Sequence, residues 1–301
     1  MAEILLQTCD LTKKYGDFSA LDKVSLTLKC GDIYGLIGRN GAGKTTFFKC
    51  VMGLAKPSGG SIAITGTSSR LGDARRRIGF MINPAFFPYL NPRENLKYLC
   101  RVKHVQPKGE IERLLKLVQL EGVKKPFKTF SLGMKQRLGL AGALLGRPPI
   151  IVLDEPINGL DPQGIADMRG VIQRENQTKG TTFIVSSHIL SELDLVATRF
   201  GFIEHGRLLQ ELDHTDLHER TRKSLVIETN DVYGAREFLQ GRFGVVGSIT
   251  GEGRLLLESH FDQPQVIARA LFEAGFELSR LAPQETTLEE YFMRLVGSSH
   301  A

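Results

Sequence analysis

Gly38-Arg39-Asn40-Gly41-Ala42-Gly43-Lys44-Thr45 decides how the rest of this chain is read. Its glycines and its Lys-Thr ending satisfy G-x-x-x-x-G-K-[ST], the P-loop pattern. Asp32 to Ile37 before it reads as a buried strand, and Thr45 to Leu54 after it reads as a helix. A strand on one side and a helix on the other is the context the pattern needs. Gly38, Gly41 and Gly43 let the backbone turn tightly, so that successive N–H groups face one anion. The helix that starts there adds its positive dipole end and unpaired N–H groups. Lys44 brings a full charge to the β- and γ-phosphates, and the Thr45 hydroxyl can ligate the Mg²⁺ that bridges them. The nucleotide-binding set read here is Gly38, Asn40, Gly41, Ala42, Gly43, Lys44, Thr45 and Thr46.

Downstream, Ile150 to Leu153 form an apolar run that ends in Asp154-Glu155-Pro156. In an open parallel sheet, strand C-termini border the ligand crevice. Asp154 suits the Mg²⁺-holding aspartate of P-loop ATPases, and Glu155 the residue that orients or deprotonates the attacking water. Thr181 to Ser187 is a further buried strand and ends at His188, within reach of a γ-phosphate in the same crevice. Ile78 to Asn83 reads as another buried strand. A carboxamide at its end can touch Mg²⁺ or the attacking water, or simply start a turn with Pro84.

Between these strands the pattern turns helical. Pro92 to Leu120 carries apolar stripes at Leu96 and Leu99 and at Ile111, Leu114, Leu115 and Val118, and Ser131 is placed to cap a helix running to Leu145. Residues of about 84–145 therefore read as a helical insertion into the nucleotide-binding sheet. Ser131 and Gly133 at a helix start offer a second phosphate-facing surface. Near the N-terminus, Ile4 to Thr8 and Val24 to Leu28 read as strands, with Leu11 to Gly16 as a loop. Tyr15 in that loop is placed to stack on a base, though stacking alone does not select ATP over GTP. Arg199 to Glu204 and Arg207 to Glu211 flank His205-Gly206 as a hairpin.

Composition narrows the alternatives. The 301 residues allow two domains, and 42% hydrophobic with 24% charged residues is ordinary for a globular chain. No apolar run reaches the roughly 18 residues of a membrane span. No basic segment followed by an apolar one opens the chain, so no secretory signal is expected. The four cysteines are scattered without a C-x-x-C pair, which suits a reducing cytoplasm and no structural zinc. A net charge of +6 is too small over this length to identify a partner.

Taken together, the motifs resemble those of the nucleotide-binding subunit of an ABC transporter, over residues of about 3–215. Tyr15 matches the A-loop aromatic, 38–45 Walker A, Asn83 the Q-loop position, and Ser131 to Gln136 the signature. Asp154-Glu155 matches Walker B with its catalytic glutamate, 158–161 the D-loop, and His188 the switch histidine. Ser131 to Arg137 and Asn158 to Gly164 are most similar to the bacitracin-resistance and lantibiotic-immunity type of exporter ATPase. Two departures stand out. Asn83 stands where glutamine, or glutamate in some immunity ATPases, is usual and is one methylene shorter than glutamine, and Leu132 and Met134 replace a glycine and a glutamine of the signature.

The resemblance implies an α/β P-loop NTPase of the ABC type in residues 1–221, with a mixed sheet and the helical insertion. It implies ATP and Mg²⁺ as ligands, with Thr45, Asp154 and Asn83 at the metal and Glu155 and His188 as catalytic residues. It further implies a head-to-tail homodimer in which each ATP lies between Lys44 of one copy and Ser131 of the other. Separately encoded integral membrane permease subunits would carry the transport path, with the chain cytoplasmic and peripheral at the membrane. Export of a peptide antibiotic, a drug or another toxic amphiphile follows from the subfamily match, and no nucleic acid is expected. A soluble ABC-type ATPase acting on a non-membrane partner is the alternative, but its usual tandem cassettes or long insertions are missing. A regulator without turnover is opposed by Glu155 and His188, and a GTPase by the lack of an N-K-x-D motif. Residues 222–301 read as a separate α+β domain in the order β-α-β-β-α-β, the ferredoxin-like arrangement.

Overall fold

The computed structural model describes residues 3–64, 72, 75–82, 85–220, 223–251, 253–257, 263–285 and 287–298. The chain divides into two compact units, Met1–His214 and Thr215–Ala301, so the partition falls ahead of the 221/222 boundary expected from sequence.

Among the described residues, the first unit holds two sheets. Strands β1 (Ile4–Tyr15), β2 (Phe18–Lys29) and β4 (Gly59–Ile64) form an antiparallel sheet in the order β2-β1-β4. Strands β3 (Ile33–Ile37), β5 (Ile78–Met81), β6 (Ile150–Asp154), β7 (Thr182–Ser187), β8 (Arg199–Glu204) and β9 (Arg207–Asp213) form a mixed sheet in the order β5-β6-β7-β3-β8-β9. Every pair in it is parallel except the β8–β9 hairpin. All residues of β3 and β7 are buried, as expected of parallel strands covered on both faces.

Helix α1 (Lys44–Val51) lies in the core shared by the two sheets. Its Phe47 and Phe48 are fully buried in one cluster with Leu6, Leu26 and Leu28 of the antiparallel sheet and Leu36, Val152 and Ile184 of the mixed sheet. The same sheet carries a polar tie across three strands. The hydroxyl of the fully buried Tyr34 donates to Glu211 at 2.7 Å, and burial together with that carboxylate pushes the phenol well above its ordinary pKa. Opposite Tyr34, any side chain on Gly201 would meet the phenol oxygen at 2.1 Å.

The insertion contains α2 (Pro92–Val102), α3 (Glu110–Leu117), a single 3₁₀ turn (Phe127–Thr129) and α4 (Leu132–Leu144). A capping box starts α2: Asn91 accepts from the Glu94 N–H, and the Glu94 carboxylate accepts from the Asn91 N–H. Helix α5 (Pro162–Lys179) follows β6, capped by Asp161 and closed by Gly180 in the left-handed region. The short α6 (Leu190–Asp194) follows β7, and α7 (His214–Arg220) follows β9, all but its first residue falling in the second unit.

One expectation fails here. Leu11 to Gly16 was expected as a loop, but β1 continues through it to Tyr15, pairing Leu11 with Val24 and Tyr15 with Phe18. The strand passes Asp10 in a left-handed conformation (φ 48°) with register shifts around it. Such a bulge breaks the period-2 alternation by which a strand is recognised in sequence.

The second unit contains β10 (Lys223–Thr229), α8 (Val232–Phe243), β11 (Gly247–Ile249), β12 (Leu255–Leu257), α9 (Pro264–Glu273), β13 (Leu278–Glu285) and α10 (Leu288–Ser298). Its four strands lie in the order β11-β12-β10-β13, all antiparallel, which is the β-α-β-β-α-β arrangement read from sequence with one further helix. Leu225, Ile227, Leu255 and Leu257 of the sheet pack with Ala235 and Leu239 of α8 and Ile267 and Leu271 of α9.

Candidate nucleotide site

Parallel strands β3, β6 and β7 end side by side, and each delivers one part of the site. The register sets Ile37 against Ser187 and Asp154 against Ser186, so the P-loop, the two carboxylates and His188 emerge at one edge. The P-loop glycines are needed for different reasons. Gly41 (φ 84°) and Gly43 (φ 112°) use the left-handed region. At Gly38 the constraint is space, since a Cβ would sit 2.3 Å from the Ile203 carbonyl oxygen. The turn of the β8–β9 hairpin backs the loop: Gly206 N–H donates to the Ala42 carbonyl at 2.9 Å, and the Gly206 carbonyl accepts from Asp22 N–H at 2.8 Å.

Lys44 is 5% exposed and its ammonium group is surrounded by acceptors. Nζ donates to the carbonyls of Gly38 at 2.5 Å and Arg39 at 3.2 Å, and lies 3.1 Å from Glu155 Oε1. The other Glu155 oxygen accepts from His188 Nδ1 at 2.8 Å. Because the partner is a carboxylate, this contact puts the proton on Nδ1. Thr45 Oγ1 donates to Asp154 Oδ2 at 2.7 Å. Lys44, Glu155 and His188 therefore form one polar set, and Thr45 and Asp154 a second beside it.

Sequence reading missed the residue that joins the carboxylates. Ser186 is fully buried; its hydroxyl donates to Asp154 Oδ1 at 2.7 Å and accepts the Glu155 N–H at 2.9 Å. That N–H needs a side-chain acceptor because Glu155 leaves the ladder in a left-handed conformation, φ 50°. The available signal was a serine pair interrupting an apolar strand beside the acidic one.

An open cavity of about 300 Å³ lies over the P-loop, lined by Arg39, Asn40, Gly41, Gly43, Lys44, Thr45, Thr46 and Glu155 and walled by Phe18 and Ala20. A smaller depression beside it involves Ala42 and the turn at His205 and Gly206, again with Phe18. Tyr15 lines neither. It is 51% exposed, opposite Phe18 across the β1–β2 hairpin, with the Lys13 ammonium 4.6 Å from its ring centre. The aromatic bordering the cavity is Phe18, 65% exposed, which sequence reading had passed over.

Ser131 caps α4 by accepting from Met134 N–H at 3.3 Å and is exposed. Neither Ser131 nor Gly133 borders the P-loop cavities of its own chain. The nearest neighbour to a Cβ on Gly133 is Leu160, at 3.7 Å, so the start of α4 lies beside the turn that follows Asp154-Glu155. Asn83 lies outside the described residues.

The comparisons agree with this geometry. The family model described as ABC transporter matches residues 21–158. The bacitracin transport ATP-binding protein BcrA of Bacillus licheniformis is 38% identical over 298 residues, 97% of each chain. The lantibiotic transport ATP-binding protein SrtF of Streptococcus pyogenes is 38% identical over 211 residues, 70% of this chain and 91% of its own. Among solved structures, the ATP-binding cassette MJ0796, described as a dimeric post-hydrolysis state bound to ADP and Pi, superposes with a TM-score of 0.64. It is 25% identical, over 70% of this chain and 99% of that one. No described helix is long and apolar enough to cross a membrane.

Proposed function

The chain belongs to the ABC transporter family, and on that premise we propose that it is the ATP-hydrolysing subunit of an exporter for a peptide antibiotic or similar toxic amphiphile. The transport path would lie in separate membrane subunits, with this chain held at the membrane through them. The bacitracin and lantibiotic transport proteins it is similar to support that class of cargo, and they disfavour a partner away from the membrane.

The observation that carries the reading is the connected set around Glu155. Its carboxylate sits between Lys44 at 3.1 Å and His188 at 2.8 Å. A γ-phosphate over the P-loop competes for Lys44, because three anionic oxygens attract the ammonium more strongly than one carboxylate does. Glu155 Oε1 is then released to accept a proton from water, while His188 keeps Oε2 in place. Thr45 and Asp154 present hard oxygen donors beside the phosphates and fit Mg²⁺. They would hold it, and when bound it supplies charge neutralisation between the β- and γ-phosphates. Asn83 is proposed as a further metal contact from its place in sequence.

Ser131 and Gly133 lie away from the chain's own P-loop, which supports a role across a head-to-tail homodimer. The MJ0796 cassette is described as dimeric. The test is Glu155→Gln. Mg-ATP binding is expected to persist while hydrolysis falls at least ~10²-fold, the scale for losing a general base. Light scattering with Mg-ATP should then show a dimer, and adding Ser131→Arg should abolish it. Turnover at the parent rate would remove Glu155 from the mechanism.

A further inference from the structure

The P-loop pattern leaves position 39 open, and in this chain an arginine fills it. Its backbone is fixed at one end of the cavity. The Arg39 carbonyl accepts from Ala42 N–H at 3.1 Å and from Lys44 Nζ at 3.2 Å. That ammonium lies 3.1 Å from Glu155 Oε1, so Arg39 is mounted where Lys44 and Glu155 converge. Its side chain is exposed and lines the open cavity over the loop. Among the described residues lining that cavity, Arg39 and Lys44 are the cations and Glu155 is the anion.

The other charges at this end do not suffice for a terminal phosphate. Lys44 is offset by Glu155, and Asp154 adds a carboxylate 2.7 Å from Thr45 Oγ1. Two carboxylates thus stand against one ammonium. A terminal phosphate brings about −1.5 to −2 more at neutral pH. Even with that charge matched by Mg²⁺ at Thr45 and Asp154, one carboxylate stays unbalanced. The guanidinium of Arg39 is the cation placed to offset it. It also suits the ligand's shape, because its planar fork can donate two parallel N–H bonds to a phosphate, which an ammonium cannot. On a nucleotide shortened by one phosphate this fork loses its acceptor. Lys44 and the loop N–H groups still reach the phosphates that remain.

We propose that Arg39 grips the γ-phosphate of ATP and so lets the chain tell ATP from ADP. The inference rests on the reading of Lys44 and Glu155 as the γ-phosphate end of the site. After hydrolysis and loss of the terminal phosphate, Arg39 holds nothing on the ADP, which is therefore bound less tightly than the substrate.

The experiment uses the full-length chain, titrated by calorimetry with the Mg²⁺ complexes of ADP and of the β,γ-imido analogue of ATP, which is not hydrolysed. Arg39→Gln should weaken the analogue about tenfold, the low end for losing a charge-assisted bond, and ADP less than about twofold. Arg39→Lys keeps the charge without the fork and should weaken the analogue about threefold. In turnover, Arg39→Gln should raise the KM for ATP about tenfold with kcat within about threefold, the pattern of a contact already made in the ground state. Retained ADP affinity shows that the variants are folded. Equal losses for both nucleotides, or no loss for the analogue, would overturn the proposal. Lys44→Ala separates it from the reading beneath. Loss of analogue binding in Lys44→Ala with none in Arg39→Gln removes Arg39 alone. Unchanged binding in Lys44→Ala would remove the γ-phosphate end as assigned, and Arg39 with it.

Discussion

Replacing Ser186 by alanine tests whether the two carboxylates are positioned by one buried hydroxyl. The change removes the 2.7 Å bond to Asp154 and strands the Glu155 N–H that now reaches Ser186 at 2.9 Å. A hydrogen bond to a charged group contributes about 1.5–3 kcal/mol, and a buried donor left without a partner costs about 1–3 kcal/mol. Partial relaxation puts the combined loss near ~3 kcal/mol. For a unit of this size that lowers the melting temperature by about 6–12 °C. Scanning calorimetry on the full chain would measure it. Turnover should fall at least about tenfold, since a small displacement of a catalytic group is amplified in rate. Mg-ATP affinity should change less than about fivefold, because the P-loop keeps all its contacts. Ser186→Ala is thus expected to separate kcat from Kd. A melting temperature within about 2 °C of the parent, with turnover intact, would refute the positioning role.

Two further outcomes are expected. Phe18→Ala should raise the Kd for a fluorescent ATP analogue about tenfold, the low end of losing one base-stacking ring, and by more than Tyr15→Ala does; the reverse order would restore Tyr15 as the stacking residue. Residues 1–221 expressed alone should still bind ATP by calorimetry, because every residue proposed to face phosphate precedes Leu190; a folded fragment without affinity would contradict this.

Much of the site was legible because its parts are local patterns. The P-loop, the apolar strand ending in Asp154-Glu155, and the Ser131 cap each occupy one short stretch, and each lies where its pattern placed it. The ferredoxin-like order also followed from alternating apolar periods, down to the antiparallel four-stranded sheet. What escaped reading depends on pairing between distant segments. Ser186 matters only because parallel register sets it against Asp154, 32 residues away. Phe18 borders the cavity because β1 and β2 extend past the Asp10 bulge, which disrupts the alternation that would have announced a longer hairpin. The convergence of Lys44 on Glu155 is likewise a product of strand order, which single-segment patterns do not encode.

The left-handed backbone of Glu155 has an evolutionary consequence. A long side chain at φ 50° is held against its conformational preference, at a cost of order 1 kcal/mol or more, by neighbours that over-determine the turn. Glycine relaxes that conformation, and asparagine tolerates it better than glutamate. The substitutions that ease the fold at position 155 are therefore the ones that remove the proposed base. Selection for heat resistance alone would favour losing the acid here, and selection for turnover would oppose that loss.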